Sequence, residues 1–380
     1  MRGVRRGEQS TTAWPLLQFF CRSGGFLADP SSASFVIQNI SNPAAAATTV
    51  VAATPLTSGN RLGTGRYAVP TGLTGTWALG THRVVVTYRL SASGPDLRQV
   101  LEFEVLSDVD WPGTGAEYRG YVSTRALYED GYAVAGTDVV ETLHRVVNKF
   151  SQRVEHWTAR EFHPTFKSLY VAGMDTEYLL LREPIVALHD VYYTWMGSDN
   201  VEQAQLITRS SYHVRVRHLD GEIGRDSRIL SMLELSSAWL GDGWSPRVGE
   251  GGHTWSDRSR NYRLDGVFGY TEGALDPAGL RADIGRTPAP LAEVVAVLVS
   301  RQLEDMTLSS PMGMVPGLIG TIRTRDQMIK IDSGSSLASM STGGVFTGDP
   351  YLDMILSQYV APTDVTPVGR SRASGADAGW

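Results

Sequence analysis

The sequence predicts an α+β protein, with an all-β sandwich in its N-terminal part and then a helical-bundle core that carries an antiparallel β insertion. Three observations predict this class. Short β-rich runs separated by Gly, Pro, Ser and Asn clusters fill residues 13–108. Apolar residues recur at three- and four-residue steps over residues 137–160 and 287–306, as in amphipathic helices. Between these two stretches, several runs alternate apolar and polar side chains, as half-buried strands do.

In the N-terminal part, short β-rich runs are separated by turn residues, as in a β-sandwich, and hardly any helical pattern occurs. We place a sandwich at residues 13–108. Residues 1–12 are basic and are expected to form a flexible arm, and residues 109–130 are expected to be a linker. The predicted strands are Leu16–Phe20, Ser34–Ile40, Gly65–Val69, Thr81–Leu90 and Val100–Leu106.

The first long helix is predicted over Thr137–Arg160. Thr137 can cap its start, and Pro164 prevents it from continuing past about His163. The apolar side chains share one face, so this helix needs a partner surface in the same chain or in a neighbouring one. That face carries Val139, Leu143, Val146, Val147, Phe150, Val154 and Trp157.

The middle of the chain predicts an antiparallel sheet, with a hairpin signal at Asp220-Gly221. Its strands are Glu177–Leu181, Ile185–Trp195, Tyr212–Arg217, Ile229–Leu235 and Tyr262–Tyr270. Residues 241–260 are glycine-rich and are expected to form a long exposed loop. Trp239, Trp244 and Trp255 lie in or beside this loop, where exposed aromatic residues often anchor interfaces, and local packing within the loop is the alternative.

The C-terminal part predicts two further helices. Thr287 and Pro288 open one that runs to about Met306 and ends a core at residues 131–306. Residues 307–348 are rich in Gly, Ser and Met and are expected to be an extended loop, and residues 361–380 a disordered tail. Asp349 caps the last helix, at residues 349–360, and its apolar stripe is Leu352, Ile355, Leu356 and Tyr359.

Composition limits the chemistry that the chain can perform. The 380 residues exceed a usual single core, and 42% hydrophobic content excludes wholesale disorder. The one cysteine, Cys21, excludes an intramolecular disulfide and a multi-cysteine metal site, and is expected to be a small buried residue. No apolar run is long enough for a membrane span, and no signal-peptide core follows the basic start.

Catalytic and cofactor motifs are absent from the sequence, so we expect no catalytic residue, cofactor or metal ion. His213 and His218 are five residues apart on a strand and should face opposite sides. His189-Asp190 could orient an imidazole, which leaves a hydrolase as a third alternative. Several arginines form a basic group that suits either a phosphate or acidic partner, or a solvated strand face with ion pairs. They are Arg215, Arg217, Arg225, Arg228, Arg258, Arg260 and Arg263.

The order of the elements over residues 138–359 resembles the head-tail connector, or adaptor, proteins of tailed bacteriophages. The segments that carry the resemblance are Thr158-Ala159-Arg160-Glu161-Phe162, Leu181-Arg182-Glu183-Pro184-Ile185-Val186, Gly266-Val267-Phe268-Gly269-Tyr270 and Asp349-Pro350-Tyr351-Leu352-Asp353-Met354-Ile355-Leu356-Ser357-Gln358-Tyr359. The chain departs from the family in its greater length and in the long stretch over residues 308–348. The N-terminal sandwich resembles immunoglobulin-like domains appended to phage structural proteins, through Gly65-Arg66-Tyr67 and the run from Gly80 to Tyr88.

The resemblance implies a structural, non-enzymatic virion protein at the neck, assembled in the host cytoplasm. It implies a dodecameric ring between the portal protein and the tail, stopper or tail-completion protein, around a channel through which genomic DNA passes without sequence-specific binding. Leu352, Ile355, Leu356 and Tyr359 would dock on the portal. Helix faces can form head-to-tail contacts that close a ring, so the interface candidates are Val139, Leu143, Val146, Phe150, Val154 and Trp157.

A second function stays open at this point. The N-terminal sandwich could be the working part of a virion decoration or host-adhesion protein, with the rest of the chain as its anchor. Under the first hypothesis the sandwich would project outward from the ring.

Overall fold

The protein is described from a computed structural model. The described residues are 1–23, 25–72, 74–109, 111, 113–134, 139–173, 178–181, 183–196, 201–218, 229–235, 255, 262–269, 287–307, 321–323, 328–330 and 346–360. The predictions for Thr137, Trp239, Trp244, most of residues 307–348 and the tail at 361–380 lie outside them.

Strands dominate the described residues. The N-terminal ones are β1 (Arg2–Arg5), β2 (Gln18–Phe20), β3 (Arg22–Ser23), β4 (Phe26–Leu27), β5 (Ser32–Asn39), β6 (Thr48–Pro55), β7 (Arg61–Gly63), β8 (Arg66–Ala68), β9 (Gly80–Arg89) and β10 (Leu97–Leu106). The later ones are β11 (Thr165–Val171), β12 (Tyr178–Leu181), β13 (Ile185–Met196), β14 (Glu202–Ile207), β15 (Tyr212–His218), β16 (Ile229–Leu235), β17 (Tyr262–Phe268), β18 (Thr321–Arg323) and β19 (Met328–Lys330). The helices are α1 (Thr124–Glu129), α2 (Val140–Thr158), α3 (Ala289–Thr307) and α4 (Pro350–Tyr359).

The predicted helical-bundle core is wrong, because the residues that the structure describes are mostly β, with 39% strand and 25% helix. The helices that suggested a bundle do share a hydrophobic cluster, but residues from outside the helices complete it. Leu106 from the end of β10, Trp111, Tyr118 and Phe162 all belong to the cluster. An apolar helical stripe needs a surface to cover it, and here loop and strand residues supply part of that surface.

Two sheets enclose the N-terminal core. One has the strand order β1-β10-β9-β5-β6, and the other has the order β2-β8-β7. Phe19 and Tyr67 of the smaller sheet share one cluster with Phe35, Val84 and Phe103 of the larger sheet. The edge strand β6 was not predicted, because its sequence Thr-Thr-Val-Val-Ala-Ala-Thr-Pro does not alternate apolar and polar residues.

The residues expected to form a flexible arm are part of this fold. Strand β1 pairs in parallel with β10, from Arg2 opposite Phe103 to Arg5 opposite Leu106. Val4 is fully buried. Gly3 allows the close approach, since a Cβ atom there would lie 2.7 Å from the Leu106 side chain and 2.8 Å from Tyr118.

A short hairpin crosses the boundary expected between the two halves. Strands β3 and β4 leave the N-terminal sheets and join the sheet of order β11-β17-β13-β4-β3, with β14 added on β13. Phe26 lies opposite Leu188 on β13, and the Leu188 N–H donates to Gly25 O at 2.9 Å. The Arg22 side chain donates to Val186 O at 3.0 Å. The halves therefore share a sheet.

The second half contains further strands around a separate core. Strands β12, β16 and β15 form an antiparallel sheet, and β18 pairs with β19. The strand predicted at Ile229–Leu235 is confirmed at those residues. Tyr212 and Leu233 of this sheet share a cluster with Val191 and Leu264 of the larger one. Strands β11 and β14 were not predicted.

None of the helices in the described ranges combines the length and the apolar content that crossing a lipid bilayer requires.

Helix α4 is an integral part of the helical cluster. Asp349 caps it by accepting from Tyr351 N at 2.9 Å and Leu352 N at 3.4 Å, and Pro350 lies in its first turn, so this part of the prediction is confirmed. The buried Asp353 carboxylate accepts from Thr347 N and Thr347 Oγ1, each at 2.7 Å, and so fixes the chain that leads into the helix.

A pair of α4 substitutions tests this packing. Leu356 is fully buried, whereas Met354 is 53% exposed on the same helix. We expect Leu356→Ala to lower the free energy of unfolding by about 2–5 kcal/mol, because it removes apolar contacts and leaves a cavity. Met354→Ala should change it by no more than about 0.5 kcal/mol. Urea denaturation of both variants measures this, and equal stabilities would contradict the packing.

Candidate functional site

The apolar face of α2 is buried inside the chain. Leu143 and Val154 are fully buried, and Val146 and Phe150 are 7% exposed. Trp157 is partly buried, with its ring 6.2 Å from that of Phe346. Of the six residues named as ring-interface candidates, Val139 is the one that is largely exposed. The partner surface that this helix needs is thus supplied by its own chain, and the buried residues are not available to a neighbour in this conformation.

The apolar stripe of α4 is buried in the same cluster. Leu352, Ile355, Leu356 and Tyr359 are each at most 6% exposed. The Tyr359 ring meets the Phe162 ring edge to face at 6.1 Å. These four residues hold α4 on its own chain and cannot dock on another protein without leaving that cluster.

The outward side of α4 presents a different pair of residues. Tyr351 and Met354 are each 53% exposed and lie three positions apart, so they share one face. The Tyr351 hydroxyl lies 3.4 Å from Glu293 Oε1 of α3. Arg301 of α3 pairs with Asp349, and this hydrogen bond lowers the pKa of the Asp349 carboxyl. We call Tyr351, Met354 and Glu293 the outer α4 surface.

The four segments that carry the resemblance over residues 138–359 meet at one place. The Gly269 N–H donates to Pro184 O at 3.1 Å. A Cβ atom on Gly269 would lie 2.2 Å from His163 O, so only glycine permits this approach. Next to it, Phe162 packs against Tyr359 of the last helix. Segments that lie far apart in the sequence therefore build one junction, which we call the motif junction.

A polar stripe on α2, formed by His144, Asn148, Ser151 and Glu155, holds the segment expected to be a linker. Asn148 Oδ1 accepts from Arg119 N at 2.8 Å, and Ser151 Oγ accepts from Tyr121 N at 3.1 Å. The Tyr121 hydroxyl donates to Glu155. Burial raises the pKa of that hydroxyl well above its ordinary value, and the charge of Glu155 adds to the effect. The segment is therefore a fixed part of the fold.

The first residue of the stripe, His144, reaches the N-terminal sheet. Its Nε2 lies 3.0 Å from Oε2 of Glu104 on β10, and both side chains are almost fully buried. Glu104 Oε1 also accepts from Thr81 Oγ1 at 2.8 Å and from the Thr124 N–H at 3.0 Å. Burial alone would raise the pKa of Glu104, but the hydrogen bond and charge of His144, together with the hydrogen bonds from Thr124 and Thr81, lower it overall.

This Glu104 junction joins β9, β10, α1 and α2 through one carboxylate. A hydroxyl, a carboxylate and an imidazole lie together, but the carboxylate is in the middle and neither it nor His144 reaches solvent. A catalytic triad instead places the imidazole between the hydroxyl and the carboxylate. We assign the junction a structural role. Sequence reasoning missed it, although His144 and Ser151, seven residues apart within an apolar helix pattern, were a usable signal.

The other predicted side chains have ordinary surroundings. Trp255 is fully buried, donates to Leu233 O at 3.2 Å and packs edge to face on Tyr262, so it does not reach the surface. Cys21 is buried, which raises the pKa of its thiol to about 12 and keeps it unreactive. Within the described ranges, no three His, Cys, Asp or Glu side chains are grouped as metal ligands would be.

The arginines of the predicted basic group lie partly within the described residues and partly outside them. Arg263 lies with its guanidinium 4.4 Å from the Tyr192 ring centroid and pairs with Glu202 and Asp265, as the solvated-face interpretation expects. The side chains of Arg215, Arg217, Arg225, Arg228, Arg258 and Arg260 lie outside the described residues. His189 Nδ1 lies 2.9 Å from Asp190, whose other oxygen is 3.6 Å from Arg209, and this arrangement is an ion-pair cluster.

No known family model matches this chain, and no curated protein matches its sequence.

The Glu104 junction predicts a pH-dependent stability. Glu104→Leu should lower the free energy of unfolding by about 3–5 kcal/mol at neutral pH, because it leaves buried polar groups without their acceptor. Glu104 has a lowered pKa when folded, so its ionised carboxylate stabilises the protein fully above the unfolded glutamate pKa of about 4.3. That part of the difference is lost as the pH falls through the folded pKa.

Denaturant titrations of the wild type and the variant between neutral and acid pH measure this difference. Glu102→Leu is the matched control, since Glu102 lies two residues away on β10 and is exposed. It should change the stability by no more than about 0.5 kcal/mol. A wild-type advantage that stays constant down to the lowest pH would contradict the role of the ionised carboxylate.

Proposed function

We propose that this chain is a structural protein of a tailed-phage virion, a head-tail adaptor that forms a ring between the portal and the tail or stopper. The support is the order of sequence segments that resemble that family, together with one structural observation. The segments around Phe162, Pro184, Gly269 and Tyr359 build the motif junction. A set of weak motifs carries more weight when its members form one structural unit than when they are scattered over the chain.

In this proposal the chain is a non-enzymatic component of the virion neck, assembled in the host cytoplasm. It forms a closed ring of identical subunits, a dodecamer by the resemblance, around the channel for the genomic DNA. Ring subunits meet through two different surfaces, and such contacts need to bury roughly 1,000 Å² or more to persist. Val139, at the start of α2, stays a candidate for that contact because it is 59% exposed.

The portal contact must use residues that the chain does not need for its own core. The outer α4 surface meets this condition, since Tyr351 and Met354 are half exposed on a helix whose opposite face is buried in the core. Aromatic residues and methionine are enriched at the centres of protein interfaces. We therefore assign portal docking to this surface, in place of the buried stripe on the other side of the same helix.

Electron microscopy of the purified chain mixed with the portal protein from the same genome tests the proposal. We expect ring-shaped density on the portal for the wild type. Tyr351→Asp with Met354→Asp should abolish it, because charges at the centre of an interface lose their hydration without a partner. Removing α4 altogether is a poorer experiment, since it would also take Leu356 and its neighbours out of the core.

Val109→Asp is the matched control, because Val109 is 85% exposed and lies far from α4 in the sequence. This variant should still form the ring. If the wild-type chain gives no ring, alone or with the portal, the adaptor function is wrong. If the ring forms equally well with both aspartates present, the docking surface lies elsewhere while the adaptor function stands.

A second function, virion decoration or host adhesion by the N-terminal sheets, has one observation in its favour. Strand β6 is the edge of its sheet, and Thr48, Thr49, Ala52 and Ala53 on it are exposed. No Asp, Glu, Lys, Arg or His occurs from residue 30 to residue 60. Edge strands are usually protected by charge, and an unprotected one can pair with an extended segment of another protein.

Two lysines on this edge test the adhesion function. Ala52→Lys with Ala53→Lys should reduce the binding of the chain to host cells at least about tenfold while leaving any ring intact, because charge blocks strand addition. Ala92→Lys with Ser93→Lys, in an exposed part of the same sheet region, is the control for added charge. Unchanged binding of the β6 variant would remove this candidate. Deleting residues 1–108 is less clean, because it also removes Glu104 and the β3–β4 hairpin.

A further inference from the structure

A cavity of about 680 Å³ lies where the N-terminal sheets, the segment before α1, strand β11 and the start of α3 come together. This volume falls in the usual range of about 300–1,000 Å³ for small-molecule sites. Much of the wall is apolar, with Phe20, Leu101, Val122 and Phe166 among its residues. None of these residues belongs to the outer α4 surface or to the β6 edge, so the cavity is independent of the proposed functions.

Arg66 supplies a positive charge in this wall, which is about half apolar and half polar. It lies on β8, and its guanidinium carbon is 3.4 Å from the centroid of the Phe166 ring. Its Nε atom is buried and has no hydrogen-bond partner. No carboxylate of the described residues forms an ion pair with it, in contrast to Arg61 on the preceding strand, which pairs with Asp29 at 2.8 Å.

Arg66 is partly buried, and taking a guanidinium partly out of water without a counter-charge is costly, which stacking on an aromatic ring offsets only in part. Burial lowers the pKa of Arg66, which reflects the same desolvation. An arginine stays charged in proteins even so. An anion in the cavity could therefore form a charge-assisted hydrogen bond with the Arg66 guanidinium, with which no carboxylate of the described residues is paired.

Further lining groups bear on the charge of a ligand, the Met1 amino group and Arg2 among them. Thr287, Ala289 and Ala292 line the cavity at the start of α3, a 19-residue helix whose N-terminal end carries partial positive charge. Glu102 also lines the cavity, but its side chain is exposed on β10 and is therefore well hydrated. The buried part of the wall favours negative charge.

We propose that this cavity binds a small organic anion with an aromatic or aliphatic body, such as an aryl carboxylate or sulfonate. The anionic group pairs with the Arg66 guanidinium. The apolar body packs against Phe20, Leu101 and Phe166. Because the walls come from both halves of the chain, an occupied cavity would also tie those halves together.

Titration with anilinonaphthalene sulfonate, a fluorescent aryl sulfonate, tests this proposal. We expect saturable binding at one site per wild-type chain, measured by fluorescence and by calorimetry. Arg66→Gln should weaken the binding at least about tenfold, the loss expected for one hydrogen bond to a charged group. Arg61→Gln is the matched control and should change the affinity by less than about twofold, because Arg61 is exposed and already paired.

A second variant keeps the test decisive if Arg66→Gln disturbs the fold. Ala126 lines the cavity and is partly buried, so Ala126→Phe should fill part of the space and reduce binding with Arg66 intact. The thermal unfolding of each variant identifies any that is not folded. The proposal would be overturned if the wild-type chain showed no saturable binding. It would also be overturned if the folded Arg66→Gln and Ala126→Phe variants both bound with the affinity of the wild type.

Discussion

The buried carboxylate of Glu104 is the interaction on which the arrangement of the chain depends. It accepts hydrogen bonds from β9, from the first turn of α1 and from α2 at one point. A buried ion needs nearly all of its hydrogen-bonding capacity satisfied, so the three elements can move apart only at a high cost. The N-terminal sheet and the helices are thereby locked in one relative position. The polar stripe of α2 extends this effect to the segment between β10 and α1, where it binds the backbone N–H groups of Arg119 and Tyr121.

The halves of the chain are joined a second time by the β3–β4 hairpin. It leaves one sheet system and enters the other, where backbone hydrogen bonds fix its register against β13. These directional contacts make the N-terminal sheets an integral part of the molecule. A ring assembled from such subunits would carry those sheets in a defined orientation, and a ligand between the two halves would lie in a defined cavity.

Helix faces in this chain serve its own core and leave limited surface for partners. The apolar sides of α2 and α4 pack on each other and on α3. A partner could therefore contact only the exposed residues of these helices, such as Tyr351, Met354 and Val139. This separation lets a protein be stable before it assembles, because association then requires no core residue to change its environment. The strongest apolar stripes in the sequence therefore mark the chain's own core.

The sequence by itself determined the local features: which face of each long helix is apolar, the cap of α4 by Asp349 and Pro350, and the extent of strands such as Ile229–Leu235. These depend on neighbours within a few residues. Only the tertiary structure decided what covers each face. Glu102 and Glu104 lie two residues apart on one strand, and alternation cannot tell them apart, yet one is exposed and the other is fully buried. The difference arises because α1 and α2 cover just one end of β10, and that packing brings together residues far apart in the chain.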